Sequence, residues 1–504
     1  MPHFLLLSLK FEKKQQFIRR FVVLMITKLR EMSEEFGESE QNEPKGAKHI
    51  LQLVDRYEEM VLNNKHYFFD SEQFEDIIDY YIDKNNPKKS LQVIEFAIGQ
   101  YPFSTVFFLR KAQILAATNQ SQKALEILSF VESMEPSNAE LYMTKGSIYS
   151  QMGLTDQAIE NYKKAADNAE ELDEIYLAMA FEFENTAKFD DAIYYLKKAI
   201  AENPENEAAL YELAFCYELN GQSEESVKYY TDFTDKHPYT ATAWFNLGVA
   251  YNRLGLFEKA IDSYDFAIAI QDDFASAYFN KANSLANLNK LDEAIEVYKD
   301  TLKVEEPDAI TFYYIGECYE KKEDYDHALI YYNKAIKLNS QLADAWLGIG
   351  IVLDAQEKTH EGMHYVKKAL ELEKENAEYW YIYGELQQKM QFYEDAEESF
   401  KKVIELDPTN AEIWLDYSNL LFEQENKNGS LEILAEGIKH HPQNAALQYR
   451  IAACLMSIGQ KQEALSFLQA ALTLDYEKHN ELFEYLPDLK ENSSITDLIE
   501  SYKK

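Results

Sequence analysis

The sequence predicts an all-α solenoid of helical hairpins, and three observations predict it. Counted in blocks of 34 from Ser71, twelve blocks run to residue 478 without an insertion or deletion. Two places in each block hold small residues. Between them, large apolar or aromatic residues recur at helical spacing. At 504 residues the chain exceeds what one compact core accommodates, so it forms several domains or a repeat array. The composition favours the array: 11 Pro and 16 Gly leave long helix-forming stretches, while 36 Tyr and 29 Phe supply many separate packing sites.

The first 48 residues precede the period. Residues 1–31 hold seven Lys or Arg against two Glu, a net of +5, and leave −43 for the rest of the −38 chain. Their apolar runs, "FLLL" and "FVVLMI", are broken by Lys10, Arg19 and Arg20 and are far too short to cross a bilayer. The order of a secretory signal is absent. Three readings stand: a translation start at Met25 or Met32, a surface helix, or a basic amphipathic segment that touches a membrane. Residues 33–48, polar and acidic, read as a disordered lead. Residues 49–70 form an N-terminal cap, in which "HILQLVDRYEEMVLNN" is an amphipathic helix able to cover the first hairpin.

Within 71–478, position 20 is small in all twelve blocks, from Ser90 and Ala124 to Gly362 and Ala464. Position 8 is small in eleven, including Gly146, Gly248, Gly316, Gly350 and Gly384, with Ile78 the exception. Position 4 is aromatic in ten blocks and holds all four tryptophans, Trp244, Trp346, Trp380 and Trp414. Position 24 is always apolar or aromatic, as at Tyr162, Tyr264, Tyr298 and Tyr332. Positions 4, 7, 8 and 11 share one helical face, and 20, 24 and 27 share another. Each block is therefore two helices. Position 15 is Gly or Asn in seven blocks, as a left-handed turn prefers, and position 32 is Pro in six, which stops the second helix. A mid-helix glycine such as Gly248 costs about 1 kcal/mol against alanine. Its reason is packing: Gly248 is expected to oppose Ala260, with Trp244 and Tyr264 filling the gaps beside them. Residues 479–504, with "NELFEYLPDL" and "ITDLIESYKK", form the C-terminal cap.

The pattern resembles the tetratricopeptide repeat (TPR) family, most closely in "AWFNLGVAYNRLGLFEKAIDSYDFAIAIQ" (243–271), which has Trp, Leu, Gly, Tyr, Ala, Tyr and Ala at the signature offsets. The resemblance implies a right-handed superhelix, wound past one turn, whose first helices line a concave groove. It also implies that positions 2, 5, 6, 9, 12 and 13 face that groove.

Composition narrows the partner. A charge of −38 argues against nucleic acid, whose phosphates need clustered Lys and Arg, and favours a basic or neutral protein. Three cysteines, Cys216, Cys318 and Cys454, all fall at position 10 as small core residues, which suits a reducing compartment, the cytoplasm. No phosphate loop, nucleophile elbow or dinucleotide fingerprint occurs, so no cofactor is implied. "HEGMH" (360–364) satisfies the zinc-binding pattern H-E-x-x-H, yet it places Gly362 at packing position 20 and both histidines toward solvent.

The groove candidates lie mainly in blocks five to eight. Position 5 forms an apolar strip through Tyr211, Phe245, Phe279 and Tyr313 that either binds a partner segment or packs between hairpins. Asn246, Asn252, Arg253, Asn280, Asn283 and Asn287 flank it. Asparagine both donates and accepts, so such a row can hold a peptide backbone. The placement of Asn246 and Asn280 is similar to the asparagine ladder of the O-linked GlcNAc transferases. The dicarboxylate clamp of some TPR co-chaperones is absent, since no block has Lys at position 5. Acidic residues line both ends of the array: Glu72, Glu75, Asp79 and Asp83, then Glu378, Glu385, Glu412 and Asp416. The sequence thus reads as a non-catalytic interaction scaffold that binds a peptide segment or helix in its groove. The alternatives are a membrane-recruited assembly factor with a basic foot and, last, a zinc hydrolase.

Overall fold

The structure, a computed structural model, describes residues 43–503. Among them all regular structure is helical. The chain divides into two compact units, residues 1–229 and 230–504, and within each unit consecutive helices pack pairwise. The basic segment 1–31 and the candidate starts Met25 and Met32 lie outside the described residues.

The hairpins keep the 34-residue frame. Every first helix spans positions 1 to 13, from Ser71–Asp83 to Ala445–Ser457. The second helices span 17 to 30, from Pro87–Gln100 to Lys461–Leu474, and only Thr155–Ala166 stops two residues early. Three residues remain for each turn. The middle one, position 15, is left-handed in all twelve blocks, with φ between 51° and 84°. Ala187, Glu323, Glu357, Gln391 and Glu425 adopt this conformation without the Gly or Asn that favours it. The geometry of the turn requires it, because the following N–H must reach back over the helix end, as Leu256 does to Tyr251 O (3.0 Å) and Lys358 to Leu353 O (2.8 Å).

Between blocks, position 34 provides the helix N-cap. Asn138, Asn206, Asn376, Asn410, Asn444 and Asp308 each accept a backbone N–H from the first turn of the next helix. Position 4 then secures the junction. The indole N–H groups of Trp244, Trp346, Trp380 and Trp414 donate to the carbonyl six residues back, at 2.8–3.2 Å. The hydroxyls of Tyr142 and Tyr278 do the same at 2.9 and 3.2 Å. An aromatic residue with a polar tip is thus preferred there because it fills space and satisfies a turn carbonyl at once.

The ring expected to fill the gap beside the mid-helix glycine lies directly against it. A Cβ on Gly248 would lie 2.5 Å from the Tyr264 ring, and Gly146, Gly316 and Gly384 stand in the same relation to Tyr162, Tyr332 and Phe400. In these four blocks position 8 is glycine because a ring from position 24 lies across it. In block nine, where Val366 replaces that ring, the backbones meet directly: a Cβ on Gly362 would lie 2.6 Å from Gly350 O.

The helix Glu43–Leu62 buries Leu53, Val54, Tyr57 and Met60 with Phe69 of the following segment and Phe74 and Ile77 of the first hairpin. It begins at Glu43, inside the stretch expected to be a disordered lead. After Leu474, the short helices Asn480–Tyr485 and Ser493–Ser501 bury Leu482, Phe483, Ile495 and Ile499 against Tyr449, Leu468 and Leu472.

Candidate ligand-binding face

With positions 4, 7, 8 and 11 of each first helix turned toward its second helix, positions 2, 5, 6, 9, 12 and 13 form the other side. Position 5 divides by exposure. Leu109, Met143, Leu177, Leu347 and Tyr449 are buried. Phe245, Phe279, Tyr313, Tyr381 and Leu415 are half-buried, and the rings pack against aromatic neighbours. Phe245 meets Tyr264 and Phe274 at 5.9 and 5.0 Å, Phe279 meets Tyr298 at 5.6 Å, and Tyr313 meets Tyr332 at 5.8 Å. Tyr211, in the first unit, is 38% exposed.

The asparagines take three kinds of place. Asn246 is only 2% exposed, and its Nδ2 lies 3.5 Å from Tyr230 Oη. The same position in block nine is Gly348, against whose backbone the Tyr332 ring packs. Position 6 therefore meets position 24 of the preceding hairpin. Asn280, half-buried, donates to Ser276 O of its own helix at 2.8 Å, and Asn283 accepts the Tyr298 hydroxyl. Asn252 is half-buried, whereas Asn287 and Arg253 are exposed. The structure does not bring Asn246 and Asn280 into one open row.

A more concave site lies farther along the second unit. A cavity of about 560 Å³ is lined by Ile351, Asp354, Ile382, Glu385, Leu386, Gln388 and Lys389. All seven belong to the first helices Ala343–Ala355 and Ala377–Lys389. Two carboxylates, Asp354 and Glu385, line it, and others lie on the same first helices and the next. Asp354 pairs with Lys389 at 2.6 Å, while Asp344 accepts from the Tyr379 hydroxyl and Asp416 from the Tyr381 hydroxyl, each at 2.6 Å. Burial raises the pKa of Asp416, and the neighbouring Glu412 adds to the rise. Burial likewise raises Glu385, reinforced by Asp416 and Asp354. These carboxylates are thus held mainly by neutral donors. Beside Asp416, Arg450 is 2% exposed with no hydrogen-bond partner for Nε or Nη1, and burial lowers its pKa to about 10.

These contacts have a sequence signal that the 34-residue count alone overlooks. Tyr379–Asp344, Tyr381–Asp416, Lys389–Asp354 and Gln388–Glu423 are all separated by 35 residues, one more than the period. In blocks nine to eleven these side chains therefore meet with an offset of one residue, whereas Asp79–Arg110 and Gln113–Thr144 in the first unit are separated by 31.

His360 and His364 of "HEGMH" are exposed, and Gly362 between them is the packing residue already described. Among the described residues no group of three or more His, Cys, Asp or Glu is arranged to hold a metal ion. The three cysteines are buried and unbonded to one another, and burial pushes the Cys318 thiol up to about 12.

Tetratricopeptide-repeat family models match residues 139–171, 187–247, 241–274, 275–307, 309–342 and 343–485. The chain belongs to the tetratricopeptide repeat family. Its hairpins at 71–138 have the same helix boundaries although the family matches begin only at Ala139. No curated protein matches the chain. Among solved structures, the TPR chain is similar to one from a crystal structure of the APC/C hetero-tetramer Cut9-Hcn1, at 14% identity and TM-score 0.41, covering 80% of this chain and 99% of that one. It is also similar to YrrB, described as a TPR protein with an unusual peptide-binding site, at 22% identity and TM-score 0.30, covering 36% and 92%. A third is a tetratricopeptide repeat protein from Parabacteroides merdae, at 19% identity and TM-score 0.39, covering 46% and 93%. At these values the likenesses concern the fold alone. Among the described residues, no helix of the TPR chain is long and apolar enough to cross a membrane.

Proposed function

We propose that this TPR protein is a non-catalytic interaction scaffold, and that a peptide segment of a partner protein lies along the open face of its first helices. The observation that carries this reading is the cavity of about 560 Å³ formed by residues of two adjacent first helices alone. Aromatic edges and open amides suit an extended chain or one helix face. The net charge of −38 favours a basic or neutral partner over nucleic acid, and three thiols without a disulfide fit the cytoplasm.

A photo-crosslinking residue at Asn287, on a first helix, and another at Glu398, on a second helix, test this in lysate of the host. A specific protein captured through position 287 and absent at 398 is the expected result. Equal capture at both positions, or capture only at 398, would move the interaction off this face.

A further inference from the structure

We propose that the basic segment 1–31 folds back onto the open side of the first helices in blocks one to four and occupies it as an internal ligand. The inference concerns the first unit and does not depend on the cavity in the second. It starts from an asymmetry of charge. On the open side, positions 2, 5, 6, 9, 12 and 13 of these blocks hold eight Asp or Glu, five of them on Ser71–Asp83, against one cation, Arg110, a net of −7. Arg110 is turned to Asp79 at 3.5 Å. The second helices of the same blocks carry as many carboxylates but seven lysines, a net of −1. Lysines thus neutralise the second helices and are missing from the open side.

A complement lies in the same chain. Residues 1–31 carry a net of +5, with apolar runs on both sides of Lys10, Lys13, Lys14, Arg19 and Arg20. The open side mixes apolar groups with its carboxylates in the same way: Val106 is 41% exposed, and Ile82 and Phe181 are half-buried. A basic, apolar segment therefore gains ion pairs and apolar burial there together, whereas the second helices present lysines that repel it. The reach is sufficient. Residues 32–42, between the segment and Glu43, extend to about 36 Å. With packed helices about 8–10 Å apart, four successive first helices span roughly 30 Å. Even at the helical rise, 31 residues cover about 46 Å. Tethering also gives the segment an effective concentration on the order of millimolar, which a separate basic peptide must overcome. The open side of these blocks is thus closed to such a peptide until residues 1–31 are displaced.

The test places a photo-crosslinking residue at Phe17 of the full chain and maps the linked peptides by mass spectrometry. Expected are links within one chain to Ser71–Asp83, Thr105–Ala117, Ala139–Gln151 or Asp173–Asn185, at a yield independent of protein concentration. Lys10→Glu/Lys13→Glu/Lys14→Glu should lower that yield at least fivefold, and these changes lie outside the array, so its folding does not enter. On the array, Glu72→Lys/Asp83→Lys, at exposed places on the first of these helices, should lower the yield as well. Glu126→Lys/Glu160→Lys, at exposed places on second helices, should leave it as in the wild type. Links between two chains, links confined to second helices, no links at all, or equal yields in every variant would overturn the inference. So would a native N-terminal peptide that begins at Met25 or Met32, since such a chain lacks most or all of the segment.

Discussion

At the scale of single residues, two conformational features can be tested directly. The Tyr264 ring occupies the space a side chain at position 248 would need, so Gly248→Ala should destabilise by about 1–3 kcal/mol despite alanine's better helix propensity. Other blocks pair Ala with Leu at these places, as in Ala112/Leu128 and Ala452/Leu468. The double variant Gly248→Ala/Tyr264→Leu should therefore cost less than the sum of its single changes in denaturation midpoints, and simple additivity would refute the contact. The turns offer the opposite case. Glu357 has φ 63°, so Glu357→Gly should raise stability by about 1 kcal/mol. Gly255→Ala should lower it by a similar amount, because nothing lies within 4 Å of a Cβ there and only the backbone conformation resists. Equal melting of both variants and wild type would show that the turns relax without cost.

At the scale of a helix pair, the first unit contains a carboxyl whose position implies a pH effect. Glu182 is 3% exposed, and burial raises its pKa despite hydrogen bonds with the Ser150 and Thr155 side chains. A carboxyl with a raised folded pKa contributes its stability below the unfolded pKa, near 4.3, and loses it as pH rises through the folded value. Glu182→Gln keeps the size and hydrogen bonding without the charge. It should be more stable than wild type at pH 7, with the advantage vanishing near pH 4. Denaturation midpoints across that range would show it, and a constant difference would refute the titration. The helix positions themselves were legible from the spacing of Trp244, Gly248 and Ala260. How closely the Tyr264 ring lies on Gly248 was not, because the period shows which positions share a face but not how near a side chain comes.

At the scale of the whole molecule, a repeat array depends on its ends. The C-terminal cap covers Tyr449, Leu468 and Leu472, so a chain ending at Asp475 would leave that apolar surface to water. Such a truncation should increase hydrogen exchange in Ala445–Ser457 and Lys461–Leu474 and promote association, as read by light scattering. Blocks two or more hairpins away should exchange as in the full chain, since each hairpin contacts mainly its neighbours. Uniform loss of protection would instead mark one cooperative unit. The candidate site was legible in part for the same reason of locality. Glu385, Glu412 and Asp416 stood out as an acidic end, but Asn246 read as a groove residue although it packs beneath its neighbour.

The sequence by itself determined the helical class, the 34-residue frame and the hairpins. It did so because small, large and turn-forming residues return at fixed intervals, and each return is a local constraint on a few residues. Tertiary structure decided the rest: which ring lies on which glycine, that non-glycine residues also take the left-handed turn, and where a cavity opens between first helices. Those outcomes depend on how adjacent hairpins meet, as in the contacts between residues 35 apart in blocks nine to eleven. That offset comes from the packing of two helices and cannot be read from either one alone.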